Sequence, residues 1–291
     1  ALSRTEVLRL VPELQKETVD IQRLSRHLAL YNEGGALTFA VRFERSGGDG
    51  YRAIIAARQG KAETTGVFFS NDGSCYNGDW RATATYVNRN LSGRGDTVGV
   101  ALTSSPDHWH QLRQGALSYH WLLPKAGDAM TFTASHSDAR LSDLAHGYPF
   151  DLASSGKSTR FGLSYQHYLA NSQREKDWLE IGVTHHRSRA DTVLSLTGYQ
   201  GTIGHYDVSH TDGVLASQNR GQGAHHLFHW RVAYQGNFDG DREDFAAMRP
   251  GSAAHYHIWQ DGSPSTSERA RVLPLTRTSI PRWSISPRAA R

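Results

Sequence analysis

Residues 78–103 read GDWRATATYVNRNLSGRGDTVGVALT, and the alternation within them decides the fold. Trp80, Ala82, Ala84 and Tyr86 fall on one side of an extended chain; Arg81, Thr83 and Thr85 fall on the other. After the NLSGRGD turn, Val98, Val100 and Leu102 resume the apolar side, and Thr97, Gly99, Ala101 and Thr103 form a smaller, more polar one. Successive side chains of a strand point to opposite faces, so the stretch predicts a β-hairpin with one apolar and one polar face. Asn90, Gly93, Gly95 and Asp96 supply the turn, because glycine tolerates positive φ and short polar side chains bond their own backbone.

The same pattern recurs downstream. Leu117, Tyr119, Trp121 and Leu123 oppose Ser118 and His120, and Met130, Phe132 and Ala134 oppose Thr131, Thr133 and Ser135. Phe161, Leu163, Tyr165 and Leu169 oppose Arg160, Ser164 and Gln166, while Leu179, Ile181 and Val183 oppose Glu180, Gly182 and Thr184. Phe228, Trp230, Val232 and Tyr234 oppose His229, Arg231 and Gln235. No helix is expected between residue 61 and about residue 260.

Alternation alone fits a soluble β-sheet binding protein as well as a membrane barrel. Two features favour the barrel. Trp80, Tyr86, Tyr119, Trp121, Trp178, Trp230 and Tyr234 recur near strand ends, as in interfacial aromatic girdles, and the runs are close to the ~10 residues of a tilted bilayer crossing. Arg81, Thr83, Arg160 and Glu180 are then expected to face the lumen. Apolar residues make up 38% of the 291-residue chain, and mean hydropathy is -0.56. No run approaches the roughly 18 apolar residues of a membrane-spanning helix.

The net charge of +4 comes from 32 basic and 28 acidic residues, interspersed until an arginine-rich end. No basic stripe of the kind that binds nucleic acid is visible. The single cysteine, Cys75, excludes an internal disulfide framework. The opening ALSRTEVLRL lacks a basic-then-apolar leader, which points to a fragment.

Residues 1–60 read differently. Ser3 and Glu6 form a capping-box pattern ahead of Val7, Leu8, Leu10, Val11 and Leu14. A second helix is expected over 18–33, with Ile21, Leu24, Leu28 and Tyr31 on one stripe, ended by Gly34-Gly35. Period two then places Leu37, Phe39, Val41 and Phe43 on one side of a strand, SGGDG at 46–50 turns the chain, and 51–59 returns. Helix, helix, strand, strand is a small α/β unit near the lower size limit for independent stability.

Motifs that would carry chemistry are weak. Arg94-Gly95-Asp96 reads as turn chemistry rather than an integrin ligand. Gly156-Lys157-Ser158 lacks the glycine a phosphate-binding loop needs, since position 151 is Asp. The sixteen histidines, including His255 with His257 and the group His225, His226 and His229, have no carboxylate or cysteine partner at a recognisable spacing. They read as solvated loop and lumen residues. There is no nucleophile elbow and no defensible carboxylate pair; no catalytic, metal or cofactor residue is assigned, and no enzyme is expected.

Several stretches resemble the outer-membrane transporters of two-partner secretion, the haemolysin and filamentous-haemagglutinin secretion/activation proteins. They are Asn71-Asp72-Gly73-Ser74, Gly78, Arg81 and Asn90–Asp96, followed by Leu117-Ser118-Tyr119, Gly147-Tyr148-Pro149-Phe150, Gly156-Lys157-Ser158 and Gly162-Leu163-Ser164-Tyr165. The resemblance runs over roughly residues 3 to 190. It implies a POTRA-like periplasmic domain over 1–60, incomplete at its start, and the first strands of a larger antiparallel transmembrane β-barrel over 61–260. It also implies a monomer in the Gram-negative outer membrane that exports, and in some cases activates, a large β-helical secreted partner without a cofactor. On that analogy the edge at Leu37, Phe39, Val41 and Phe43 takes up the passenger by β-augmentation. The family's first POTRA domain, its plug helix and its lumenal Val-Arg-Gly-Tyr type motif have no counterpart here. Residues 261–291, rich in Pro and Arg, read as a disordered tail unlike the family, so a truncated transporter is expected, unable by itself to close its sheet in lipid. The alternatives are an outer-membrane protein assembly factor of the Omp85 type, a passive porin-like barrel and the soluble binding protein.

Overall fold

The computed structural model describes residues 2–262 apart from 17, 46–50, 124–126, 146, 173–174, 223–226 and 250. The SGGDG turn, His225, His226 and the tail beyond residue 262 therefore lie outside the described residues.

The N-terminal unit is built as the sequence suggests, with earlier stops and later starts. Helix α1 (Arg4–Leu10) opens on a reciprocal capping box between Ser3 and Glu6. It ends sooner than the apolar run to Leu14 implies, because Pro12 has no N–H and disfavours helical backbone at Val11; a 3₁₀ turn, Pro12–Gln15, follows. Helix α2 (Ile21–Gly34) starts three residues after Thr18 because Asp20 captures the backbone N–H groups of Gln22 and Arg23. Gly35 closes it at φ 72. Strands β1 (Leu37–Arg45) and β2 (Tyr51–Gln59) form a two-stranded antiparallel sheet. Val7, Leu10, Val11, Leu24, Tyr31, Leu37 and Phe39 make the core of this unit.

Ten antiparallel strands follow in sequence order as one meander. They are β3 (Glu63–Ser70), β4 (Arg81–Asn88), β5 (Thr97–Ser104), β6 (Leu112–Leu123) and β7 (Asp128–Leu141), then β8 (Asp151–Asn171), β9 (Glu175–Leu196), β10 (Tyr199–Gln222), β11 (Leu227–Asn237) and β12 (His257–Gly262). The opening hairpin is β4–β5, with Thr83 opposite Thr103, Ala84 opposite Leu102 and Tyr86 opposite Val100. Its faces are those read from the sequence. Among the described residues β3 and β12 are the two ends of an open sheet, the arc of a barrel.

Four sequence expectations need correction. Strands β8, β9 and β10 have 21, 22 and 24 residues, about twice a bilayer crossing. A short helix, α3 (Arg242–Met248), interrupts the β11–β12 connection, capped by Asp241. Leu169 sits at a bulge between Tyr168 and Ala170, out of line with Phe161, Leu163 and Tyr165. Asp261 and Gly262 belong to β12 and pair with Val232 and Arg231, so they extend the sheet.

Candidate functional site

Register carries each face across the sheet. One row runs Ser118, Thr133, Gly162, Thr184, Asp212, Asn237; a row on the opposite face, three residues along, runs Trp121, Met130, Tyr165, Ile181, Leu215, Tyr234, Trp259. The apolar face is left open: Leu102, Phe161, Leu163, Ile181, Val183 and Leu215 are all exposed. A contiguous exposed apolar surface of this breadth marks a membrane or protein contact. Further along β9 and β10 the same face turns charged, with Arg187 and Arg189 both bound to Asp207. That change marks where the long strands leave the apolar band.

Arg81, Thr83, Arg160 and Glu180 lie on the polar face of the sheet. Thr83 shares a hydrogen bond with Thr103 at 2.9 Å. Arg160 and Glu180 line one polar recess of about 260 Å³ together with Thr131, Thr133, Ser164, Arg231 and Gln235. Arg81 shares their face but is committed to the β3–β4 loop, donating to the carbonyls of Gly78 (2.8 Å) and Trp80 (3.0 Å). Trp178, expected among the interfacial aromatics, is on the polar face opposite Tyr168 and Gln218. The reason is that α2 covers this end of the face, burying Leu30 with Ala129 and Tyr168, against which Trp178 packs.

This contact joins the N-terminal unit to the sheet. Lys176 on β9 binds Glu33 on α2 at 2.6 Å and stands 4.9 Å and 5.0 Å above the rings of Tyr168 and Trp178. Arg26 donates to the carbonyl of Tyr168 at 3.3 Å. The NLSGRGD turn completes the joint. Gly95 N–H donates to Asn90 Oδ1 at 2.8 Å, Ser92 N–H to Asp96 Oδ1 at 2.9 Å, and Tyr119 OH to Asp96 Oδ2 at 2.7 Å. Gly93 and Gly95 have φ of 77 and 78, and a Cβ on Gly95 would stand 2.8 Å from the Tyr31 ring. Asp96 is 2% exposed and Gly95 is buried, so the Gly-Asp half of the tripeptide is an internal joint, with Arg94 exposed beside it. Gly156-Lys157-Ser158 lies within β8, with no helix following it to cradle a phosphate.

His27, on the α2 face of this joint, is buried with Nδ1 lacking a hydrogen-bond partner. Burial pulls its pKa below the ordinary 6.5, and Glu13 opposes the shift while Arg26, Arg23 and Lys16 reinforce it. The unfolded chain therefore binds more protons just below that value, and stability falls with acidification through that window. The melting temperature of the N-terminal unit is expected to drop between about pH 7 and about pH 5, a dependence that His27→Gln removes.

At the expected peptide-binding edge, Leu37 and Phe39 have side chains that belong to the core, at 1% and 3% exposure, whereas Phe43 is exposed. The backbone is informative. Phe39 N–H donates to Asn32 Oδ1 at 2.6 Å, and Asn32 Nδ2 donates to Phe39 O at 3.0 Å. Both groups of Phe39 therefore point away from β2. In an antiparallel pair alternate residues share that orientation, so Leu37, Val41 and Phe43 also aim their backbone groups outward. The Asn32 carboxamide imitates one peptide unit of a neighbouring strand at Phe39. Among the described residues no strand pairs with that side of β1. Sequence periodicity could not reveal this cap, since Asn32 reads only as a polar position of α2.

A family model, haemolysin secretion/activation protein ShlB/FhaC/HecB, matches residues 52–225. No curated protein matches the chain. Among solved structures, CdiB from Escherichia coli superposes with a TM-score of 0.69 at 14% identity, over 90% of this chain and 48% of that one. CdiB from Acinetobacter baumannii gives 0.58 at 13% identity, over 90% and 46%. The chain thus spans about half the length of each of these structures, and at such identities the likeness is one of fold.

Proposed function

Because the chain belongs to the haemolysin secretion/activation protein family (ShlB/FhaC/HecB), we propose that it is the core of an outer-membrane translocator that exports a large secreted partner by two-partner secretion. The observation that carries this reading is the two-faced sheet: a hydrogen-bonding face continuous from β4 to β11 and an open apolar face behind it. Polar rows of Ser, Thr, Arg and Glu suit the passage of a hydrated, extended chain, while the apolar rows suit lipid. The N-terminal unit is assigned as a periplasmic POTRA domain, docked by α2 at one mouth of that face. A passenger segment entering there adds to β1 at Val41 and Phe43, beyond the position Asn32 occupies.

Two outcomes test the reading. A photo-crosslinker placed at Val41 and at Ser164 in the full-length protein is expected to trap the exported partner in transit. The reading fails if neither site traps it and removal of residues 1–60 leaves export unchanged. The edge has its own test. Val41→Pro deletes an outward N–H and no β1–β2 bond, so capture of the partner's secretion segment is expected to weaken at least roughly fivefold, the weight of about 1 kcal/mol for one hydrogen bond. Arg42→Pro, which removes a bond to β2, is expected to unfold the hairpin instead. Titration of a labelled peptide against both variants, with circular dichroism for folding, distinguishes them.

A further inference from the structure

We propose that His186, His210 and Asp212 form a binding site for a first-row transition-metal dication of the Zn²⁺ class, set on the polar face beneath the β11–β12 connection. Register places His186 directly opposite His210 and Thr184 opposite Asp212, so the three side chains share one face. The two imidazole rings stack at 5.0 Å with an interplanar angle of 9°. His186 Nε2 is 3.4 Å from Asp212 Oδ2, and His210 Nε2 is 3.8 Å from Asp212 Oδ1. One ligand atom from each residue lies within 4.8 Å of the others, a spacing that small side-chain rotations close around an ion.

Two independent observations point to a ligand. His186 Nε2, the nitrogen beside Asp212, is buried without a hydrogen-bond partner, and buried ring nitrogens are normally satisfied. Asp212, only 4% exposed, is held from outside: Tyr256 OH donates to Oδ1 at 2.6 Å and Gln235 Nε2 to Oδ2 at 3.0 Å. Partners of this kind orient a ligating carboxylate. Two imidazoles with one carboxylate suit zinc, cobalt, nickel or copper, whereas calcium and magnesium take all-oxygen sets. Arg160 stands opposite His186 on β8. The site thus sets one carboxylate against one fixed cation, and it takes the ion through its imidazole nitrogens rather than through net charge.

Occupancy has a structural consequence. Phe245 of α3 and Tyr256 pack on the His210 ring at 5.5 Å and 6.3 Å, and Tyr256 is bonded to Asp212. An ion that fixes His210 and Asp212 fixes the inward-lying β11–β12 connection across the polar face. The sequence gives no spacing signal for such a site, because His186 and His210 meet only through strand pairing.

The test uses the full chain folded in detergent, with Co²⁺ as the probe. Wild type is expected to take up one Co²⁺ per chain with visible ligand-field absorption, bleached by Zn²⁺. His186→Gln with His210→Gln is expected to weaken uptake at least tenfold, whereas His255→Ala with His257→Ala leaves it unchanged. Asp212→Asn, a near-isosteric change, guards against misfolding of the double variant and is expected to shift the absorption bands. Tryptic cleavage at Arg242 is expected to slow with Zn²⁺ and recover with a chelator. Bands of unchanged position and strength in both cluster variants, or an absence of bands in folded wild type, would overturn the assignment. So would protection of Arg242 that follows acidification but not metal.

Discussion

Leu163→Arg is expected to destabilise the protein in a lipid bilayer by about 2–4 kcal/mol, the cost of a guanidinium on the lipid side of a barrel near mid-membrane. Ser164→Arg, one residue on, is expected to cost less than about 1 kcal/mol. The contrast follows from register. Leu163 lies between Phe132 and Val183 in an apolar, exposed row. Ser164 lies between Thr131 and Gly182 and lines the polar recess with Arg160 and Glu180. In a soluble sheet with an aqueous apolar face, the first change would be nearly neutral, since Leu163 is already 41% exposed. Denaturant titration of both variants in phospholipid vesicles gives the comparison. Equal costs would remove the basis for assigning one face to lipid.

Tyr31→Ala is expected to cost the N-terminal unit about 3–5 kcal/mol, the range for emptying a buried aromatic site. The ring is 2% exposed, meets Phe39 edge-on at 5.5 Å and abuts the turn at Gly95. Its hydroxyl donates to Leu10 O at 3.0 Å, and burial pushes the phenol to about 12, which keeps that donor protonated. A unit of this size has little stability in reserve. Helical circular dichroism and protease resistance of residues 1–60 are both expected to fall, while the ten-stranded sheet keeps its signal. A melting temperature unchanged from wild type would show that Tyr31 does not join α1, β1 and the turn.

The sheet was legible because its determinants are local. Thr83 with Thr103 and Tyr86 with Val100 follow from period two and a glycine turn, and each later strand repeats that rule. Helix α3 was not legible. It has seven residues and one buried apolar side chain, Phe245, too few to draw a stripe. Trp178 was misplaced because an aromatic residue on a polar face needs tertiary cover, here from α2, which no window on β9 contains. The lengths of β8–β10 were hidden because alternation continues while the apolar face turns to Arg187 and Arg189. Arg160 and Glu180 could be assigned a face from parity, but their shared recess required five strands, β7 to β11, in register. The histidine cluster and the Asn32 cap depend on cross-strand pairing and helix docking, which spacing along the chain does not encode.

On the proposed function, one sheet presents lipid on one side and a polar path on the other. Single cysteines along 160–166 of β8, in a Cys75→Ser background, can be labelled in membrane vesicles with a water-soluble, membrane-impermeant maleimide. Period-two labelling is expected: positions 160, 162, 164 and 166 react, while 161, 163 and 165 react only after lipid is stripped. Labelling that is uniform along the segment, or alternation that is the same with and without lipid, would contradict that arrangement.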